Sequence, residues 1–193
     1  INTSKVLAKC LRQGLVSANL PENAVQMIEN TDREAVTLML QSAGEIDVIV
    51  PRGGKSLVEK VQQEARVPVF AHLEGICHLY VDKDANIDKA TKIILNSKMR
   101  RPGICGALET LLVDKKISNR AIPIFIEELV KAGCHLKGDE ETIKIDNSIE
   151  LALDTDWKTE YLEAILSIKV VDGVTGAINH INKYSSNHTE SII

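Results

Sequence analysis

The strongest constraint on this sequence is a rhythm. Short apolar runs alternate with stretches whose apolar residues recur every three or four positions. Ile46-Asp47-Val48-Ile49-Val50 is apolar almost throughout, as expected for a parallel strand covered on both faces. Before it, Val6, Leu7, Cys10, Leu11 and Leu15 mark one face of a helix over Thr3–Ala18, and Val25–Ile28 reads as a short strand. Thr31 is the expected N-cap of a second helix, with Glu34 at the capping-box spacing and Ala35, Val36, Leu38, Met39 and Leu40 as its apolar side. After it, a helix is expected over Ser56–Ala65 and a strand over Val67–Phe70. This alternation over residues 1–73 is the pattern of a doubly wound parallel sheet. Such a sheet would have its first strand upstream of Ile1, so the chain reads as a piece of a longer protein.

The same rhythm continues. Strands are expected at His78–Val81, Leu111–Val113, Cys134–Lys137, Glu150–Leu153 and Ala164–Val171. Helices are expected over Ile87–Lys98, Ser118–Ala132, Glu140–Ile145 and Val174–Tyr184, the last with Ala177, Ile178 and Ile181 inward. Trp157 reads as a packed corner, and the chain closes from Ser185 in a polar loop where His188 would ordinarily face solvent.

Two stretches carry chemistry. In the first, Cys105 follows the Pro102-Gly103 turn, with Arg100 and Arg101 just upstream and a buried strand just downstream. A thiol reacts as its thiolate, which nearby cations and exposed backbone N–H groups favour. The competing reading is a small buried hydrophobe, the usual role of a free cysteine. In the second, Pro51-Arg52-Gly53-Gly54-Lys55-Ser56 joins a strand to a helix. Such a turn receives phosphate on backbone N–H groups at a helix start, and two adjacent glycines permit close approach. It is equally readable as a plain connection with solvated basic residues.

Composition then excludes whole classes of function. A formal charge of −4 and only 3% aromatic residues leave neither a basic surface nor stacking platforms for nucleic acid. No apolar run approaches the roughly 20 residues that cross a bilayer, and no signal peptide opens the chain. Cys10, Cys77, Cys105 and Cys134 are widely spaced, which fits a reducing, cytoplasmic compartment. The pairs Cys77-His78 and Cys134-His135 match no zinc spacing, so no metal is expected.

Several segments together resemble the γ-glutamyl phosphate reductase family, a branch of the aldehyde dehydrogenase superfamily. Arg101-Pro102-Gly103-Ile104-Cys105-Gly106-Ala107-Leu108-Glu109-Thr110-Leu111-Leu112-Val113 is similar to that family's nucleophile segment. The closing run from Val171 through Ala177, His180, Ile181, Tyr184, Ser186, His188, Thr189 and Glu190 to Ile192 is similar to its signature. Thr31–Val36, Pro51–Gly54, Gly75–His78 and Trp157–Leu162 also match in order. The resemblance implies NADPH-dependent reduction of L-glutamyl 5-phosphate to glutamate 5-semialdehyde, a step of proline synthesis, through a thioester on Cys105. It implies cofactor contacts at Arg52, Gly53, Gly54 and Glu160, substrate contacts at Arg101 and His188, and no metal. The Cys105 N–H would help hold the oxyanion, with an asparagine from a segment before Ile1.

The expected architecture is α/β in two parts. Residues 1–75 would be a partial Rossmann-like cofactor-binding domain, and residues 76–193 an α/β catalytic domain of aldehyde dehydrogenase type with Cys105 at the cleft between them. The full-length protein is expected to be a homo-oligomer with a small-molecule substrate, no nucleic acid and no membrane partner. The chain departs from the family at Gly106, where asparagine is usual, and at Ser185, where glycine is usual. Hydrolytic relatives carry Glu-Leu-Gly-Gly where this chain has His72-Leu73-Glu74-Gly75, a difference that suits an enzyme with no use for water attack. Missing N- and C-terminal parts imply that the isolated piece is inactive. The competing readings are a non-catalytic assembly module of the same fold and a related acyl-phosphate or semialdehyde dehydrogenase.

Overall fold

A computed structural model describes residues 2–71 and 74–193, without the side chain of Lys55. The chain divides into two units, Ile1–Ala71 and His72–Ile193.

The second unit is built on six parallel strands: β1 (Cys77–Val81), β2 (Leu108–Asp114), β3 (His135–Gly138), β4 (Glu150–Leu151), β5 (Ile165–Val171) and β6 (Glu190–Ile192). Their order across the sheet is β4-β3-β5-β2-β1-β6. The central strands are continuous apolar runs because both faces are covered. Helices α4 (Ile87–Met99), α5 (Lys115–Lys131) and α6 (Glu140–Ile145) follow β1, β2 and β3. On the α4 and α5 side, Leu79, Val81, Leu111, Val113, Leu166 and Ile168 pack against Ala90, Ile94, Ile122, Phe125 and Leu129. Each of the larger side chains among these contributes about 1.5–3 kcal/mol when buried. On the other side, α7 (Gly173–Tyr184) packs Ala177 and Ile181 against Tyr80, Leu112 and Val171.

Local chemistry sets the helix ends. Asn86 caps α4 by accepting from the Lys89 N–H at 2.9 Å, and Asp114 caps α5 by accepting from the Lys116 N–H at 2.8 Å. Gly133, at φ +84°, ends the α5 segment, and the Cys134 N–H returns to the Leu129 carbonyl.

The first unit carries α1 (Asn2–Ser17), α2 (Arg33–Gln41) and α3 (Lys55–Glu64). The strands expected here do not form ladders. Among the described residues, Val25–Ile28 makes no strand pairing, and the 46–50 and 67–70 segments meet only at an isolated parallel bridge between Ile49 and Val69. An apolar sequence favours extended backbone, but a ladder needs neighbours on its edges. The apolar face of α1 is solvent-exposed, with Leu7 at 59% and Leu11 at 55%.

Three local expectations are corrected. Asp32, not Thr31, caps α2, its carboxylate accepting from the Glu34 N–H at 3.1 Å. Ile178 is exposed rather than inward, because the buried stripe of α7 runs through Ala177 and His180. The polar tail from Ser185 is not all loop: Glu190–Ile192 pairs with β1 as strand β6. Trp157 is buried in a 3-10 turn, as a packed corner should be, with the His180 ring edge-on at 5.3 Å. No helix among the described residues is long and apolar enough to cross a membrane.

Candidate active site

Because β1, β2, β5 and β6 all run in one direction, the segments leading into them gather along one edge of the sheet. Gly75 and Ile76 precede β1, Cys105 precedes β2, Glu160 precedes β5, and Ser186 and His188 precede β6. This is the amino edge, opposite to the carboxyl edge where open α/β sheets usually bind ligands.

Cys105 lies on two overlapping turns between α4 and β2. The Ile104 N–H donates to the Arg101 carbonyl at 3.4 Å, and the Ala107 N–H donates to the Ile104 carbonyl at 2.9 Å. Cys105 is exposed. Its carbonyl is turned inward, where it accepts from the Cys77 thiol at 3.2 Å. The backbone at Gly75 presses on the same group, since a Cβ there would lie 1.8 Å from the Cys105 carbonyl oxygen. In a planar trans peptide the following N–H points away from the carbonyl, so the Gly106 N–H faces outward. Neither it nor the Cys105 N–H has an acceptor among the described residues. An accessible thiol beside two unclaimed amide donors is suited to attack a carbonyl carbon and hold the oxyanion that results.

The lead-in to β1 ties the other residues to this turn. The Gly75 N–H donates to Glu160 Oε1 at 2.9 Å, and the Ile76 N–H donates to Ser186 Oγ at 2.9 Å. His188 is half-buried rather than solvent-facing, with Nδ1 2.8 Å from Thr189 Oγ1 and 3.7 Å from the Cys77 sulfur. Burial pushes the Cys77 thiol up to about 11, so it stays protonated and acts as a donor, not a second nucleophile. Cys134 is likewise buried and raised to about 11, while Cys10 is exposed on α1.

The structure thus brings Cys105, Glu160 and His188 to one sheet edge. Arg101 is exposed at the start of the turn, and its guanidinium makes no hydrogen bond or ion pair among the described residues. Arg52, Gly53 and Gly54 belong to the first unit, all exposed, with Gly54 as the N-cap of α3. Among the described residues no side chain caps that helix and no acidic residue stands in its first turn, so its first two N–H groups, ahead of the Leu57 N–H that donates to the Gly54 carbonyl, are open to an anion. A Cβ at Gly53 would come within 2.7 Å of the Leu57 side chain. The Lys55 side chain, His72 and Leu73 lie outside the described residues. Sequence reasoning did not assign Gly75 or Cys77 a place in the site. The signal was the unbroken Gly75-Ile76-Cys77 lead-in, whose contacts lie 28 to 111 residues away. Among the described residues no group of His, Cys, Asp and Glu is arranged to hold a metal.

Residues 2–146 match the aldehyde dehydrogenase family model. The chain belongs to the aldehyde dehydrogenase family. It is 54% identical over its whole length to a gamma-glutamyl phosphate reductase of Mesorhizobium japonicum, and covers 45% of that protein. It is similar in structure, with a TM-score of 0.92 and 42% identity, to gamma-glutamyl phosphate reductase from Thermotoga maritima, covering all of this chain and 46% of the other. A glyceraldehyde-3-phosphate dehydrogenase from Methanocaldococcus jannaschii, solved with NADP, shares the fold at 16% identity and a TM-score of 0.66, over 98% of this chain and 55% of the other. The chain spans about half the length of the curated relatives it matches.

Proposed function

We propose that this chain supplies the nucleophile of an NADPH-dependent reductase that converts L-glutamyl 5-phosphate to L-glutamate 5-semialdehyde and phosphate. The observation that carries this reading is the exposed Cys105, its carbonyl turned inward and the following Gly106 N–H outward, in a chain 54% identical to gamma-glutamyl phosphate reductases. The Cys105 thiolate attacks the acyl carbon, the carbon–oxygen bond to phosphate breaks, and phosphate leaves with that electron pair. The thioester that remains is attached to Cys105. When bound, the nicotinamide cofactor supplies the hydride that reduces it. The Cys105 and Gly106 N–H groups hold the oxyanion as it forms. Its collapse breaks the carbon–sulfur bond, frees the aldehyde and returns the thiolate.

Arg101 and His188 bind the charged ends of the substrate. Glu160, with Oε1 held by Gly75, offers Oε2 to a ribose hydroxyl. The uncapped start of α3 with Arg52, Gly53 and Gly54 fits a cofactor phosphate. In the same reading residues 1–75 bind cofactor and residues 76–193 carry the catalysis. The complete protein is a cytoplasmic homo-oligomer without nucleic-acid or membrane partners.

The test uses the complete polypeptide, assayed for phosphate-dependent reduction of NADP by the semialdehyde. Cys105→Ala is expected to lower the rate by at least about a thousandfold, the scale of losing a covalent nucleophile. Iodoacetamide is expected to label Cys105 and Cys10 and to spare Cys77 and Cys134. Turnover that survives Cys105→Ala sinks the reading.

A further inference from the structure

The inward stripe of α4 runs Ala90, Ile94, Lys98 at intervals of four. Spacing calls for an apolar residue at the last position, yet a lysine occupies it, 0% exposed. Lys98 Nζ lies 2.6 Å from Oε2 of Glu109, itself 1% exposed on β2 and four residues beyond Cys105. A buried pair is a poor stabiliser, because apolar residues of similar volume commonly do as well or better. Stability alone therefore does not account for it.

Its remaining contacts do. Glu109 Oε1 accepts from the Leu162 N–H at 3.4 Å, and Lys98 Nζ sits 5.9 Å from the centre of the Tyr161 ring. The two side chains thus reach adjacent residues of the segment between Thr159 and Glu163. Leu162 is in the left-handed region, at φ +56°. A non-glycine residue holds that conformation only when its surroundings fix it. Two residues earlier, Glu160 is pinned on its other side by the Gly75 N–H, and the Tyr161 hydroxyl joins Asp156 at 3.0 Å and Ser167 at 2.8 Å. Burial raises the Glu109 carboxyl to about 7 against the pull of Lys98, so ionising it carries a desolvation cost.

We propose that Glu109, held by Lys98, is a positioning residue that sets the Tyr161–Leu162 backbone and through it the aim of Glu160, and so governs cofactor affinity rather than thiol reactivity. This rests on the reading of Glu160 as a cofactor contact. It explains why a charge pair stands where the core pattern calls for apolar side chains.

The experiment compares Glu109→Asp, Glu109→Gln and the double variant Lys98→Met/Glu109→Met in the complete polypeptide. Glu109→Asp keeps the charge and shortens the reach to Leu162, whereas Glu109→Gln keeps the reach. The double variant is expected to melt near the native temperature. NADPH binding, followed by its fluorescence, is expected to weaken roughly tenfold in Glu109→Asp and in the double variant, the scale of one hydrogen bond to a charged group. The KM for NADPH rises in parallel, while Cys105 alkylation stays within about twofold of native. Glu109→Gln returns the affinity to within about threefold, less than half a tenfold step in free energy. If the double variant does not fold, Glu109→Asp decides. Native NADPH affinity in a folded Glu109→Asp protein overturns the proposal, as does an equal loss of Cys105 alkylation. If the native protein binds no NADPH, the reductase reading fails by itself. Amide exchange then decides the positioning role: faster exchange at Leu162 with Leu112 unchanged in Glu109→Asp upholds it, and unchanged exchange at Leu162 overturns it.

Discussion

Helices α1 and α5 are nearly equal in length and comparably amphipathic, yet α1 buries none of its residues and α5 buries seven, from Ile117 to Leu129. The difference lies in what each meets. Helix α5 lies over β2, β3 and β5, whereas the strand-like segments of the first unit pair only at isolated bridges. Amphipathic spacing thus marks a surface suited to burial, and a sheet several strands wide is what buries it. The same contrast separates the 46–50 segment from β2. Both are apolar runs, but β2 has a parallel neighbour on each side and every residue buried.

This contrast can be broken by substitution, beginning where the effect is largest. Phe125→Ala, in the α5 core, is expected to lower stability by about 3–5 kcal/mol, read from urea unfolding. A change below about 1 kcal/mol would mean that the α5 face is not a packed core. Next comes Gly75→Ala, whose Cβ must displace the Cys105 carbonyl. Misplacing a reacting group by an ångström costs on the order of a hundredfold, so kcat/KM should fall by about that factor; native turnover would show that the turn yields freely.

A smaller effect is expected from pH. Burial pushes His180 down to about 3, with His78 nearby adding to the shift. Between pH 6.5 and 3 the unfolded chain binds a proton there that the folded chain refuses, so native stability falls as pH drops below 6.5. Glu109 acts oppositely. Raised from 4.5 to about 7, it keeps a proton in the folded chain that the unfolded chain releases, so its contribution weakens as pH rises through that window. The two effects offset each other in the total, and the useful quantity is the difference between native and His180→Phe. That variant should gain on the native protein by about 2 kcal/mol between pH 6.5 and 5; a constant difference would contradict the assignment. Smallest of all, Leu11→Ser on the exposed face of α1 should shift stability by less than about 0.5 kcal/mol, and a loss as large as that of Phe125→Ala would erase the contrast between the units.

The readable parts of the sequence were those decided locally. The cysteine turn, β2 and helices α4 to α7 stand close to where apolar spacing and turn residues put them, because those signals are local in the chain. Strand β6 escaped notice because three residues bounded by polar ones carry no alternation. Asp32 displaced Thr31 as a cap because adjacent residues can both serve and the backbone entering α2 chooses. The hub at Gly75 and Cys77 was beyond local reading, since its partners at Cys105, at Glu160, and at Ser186 and His188 come from three other loops of the sheet.

The edge shared by the loops before β1, β2, β5 and β6 also sets an order of birth. Eighty-five residues separate Cys105 from Glu190, whose strand lines the outer side of β1. At about 5–20 residues per second of synthesis, the cysteine exists for about 4 to 17 seconds before that strand is made. Through most of that interval its turn lacks the Ser186 and His188 loop, and for the first 55 residues the Glu160 loop as well. The edge is therefore assembled in stages, and a nascent polypeptide carries the Cys105 thiol well before it carries the loops around it.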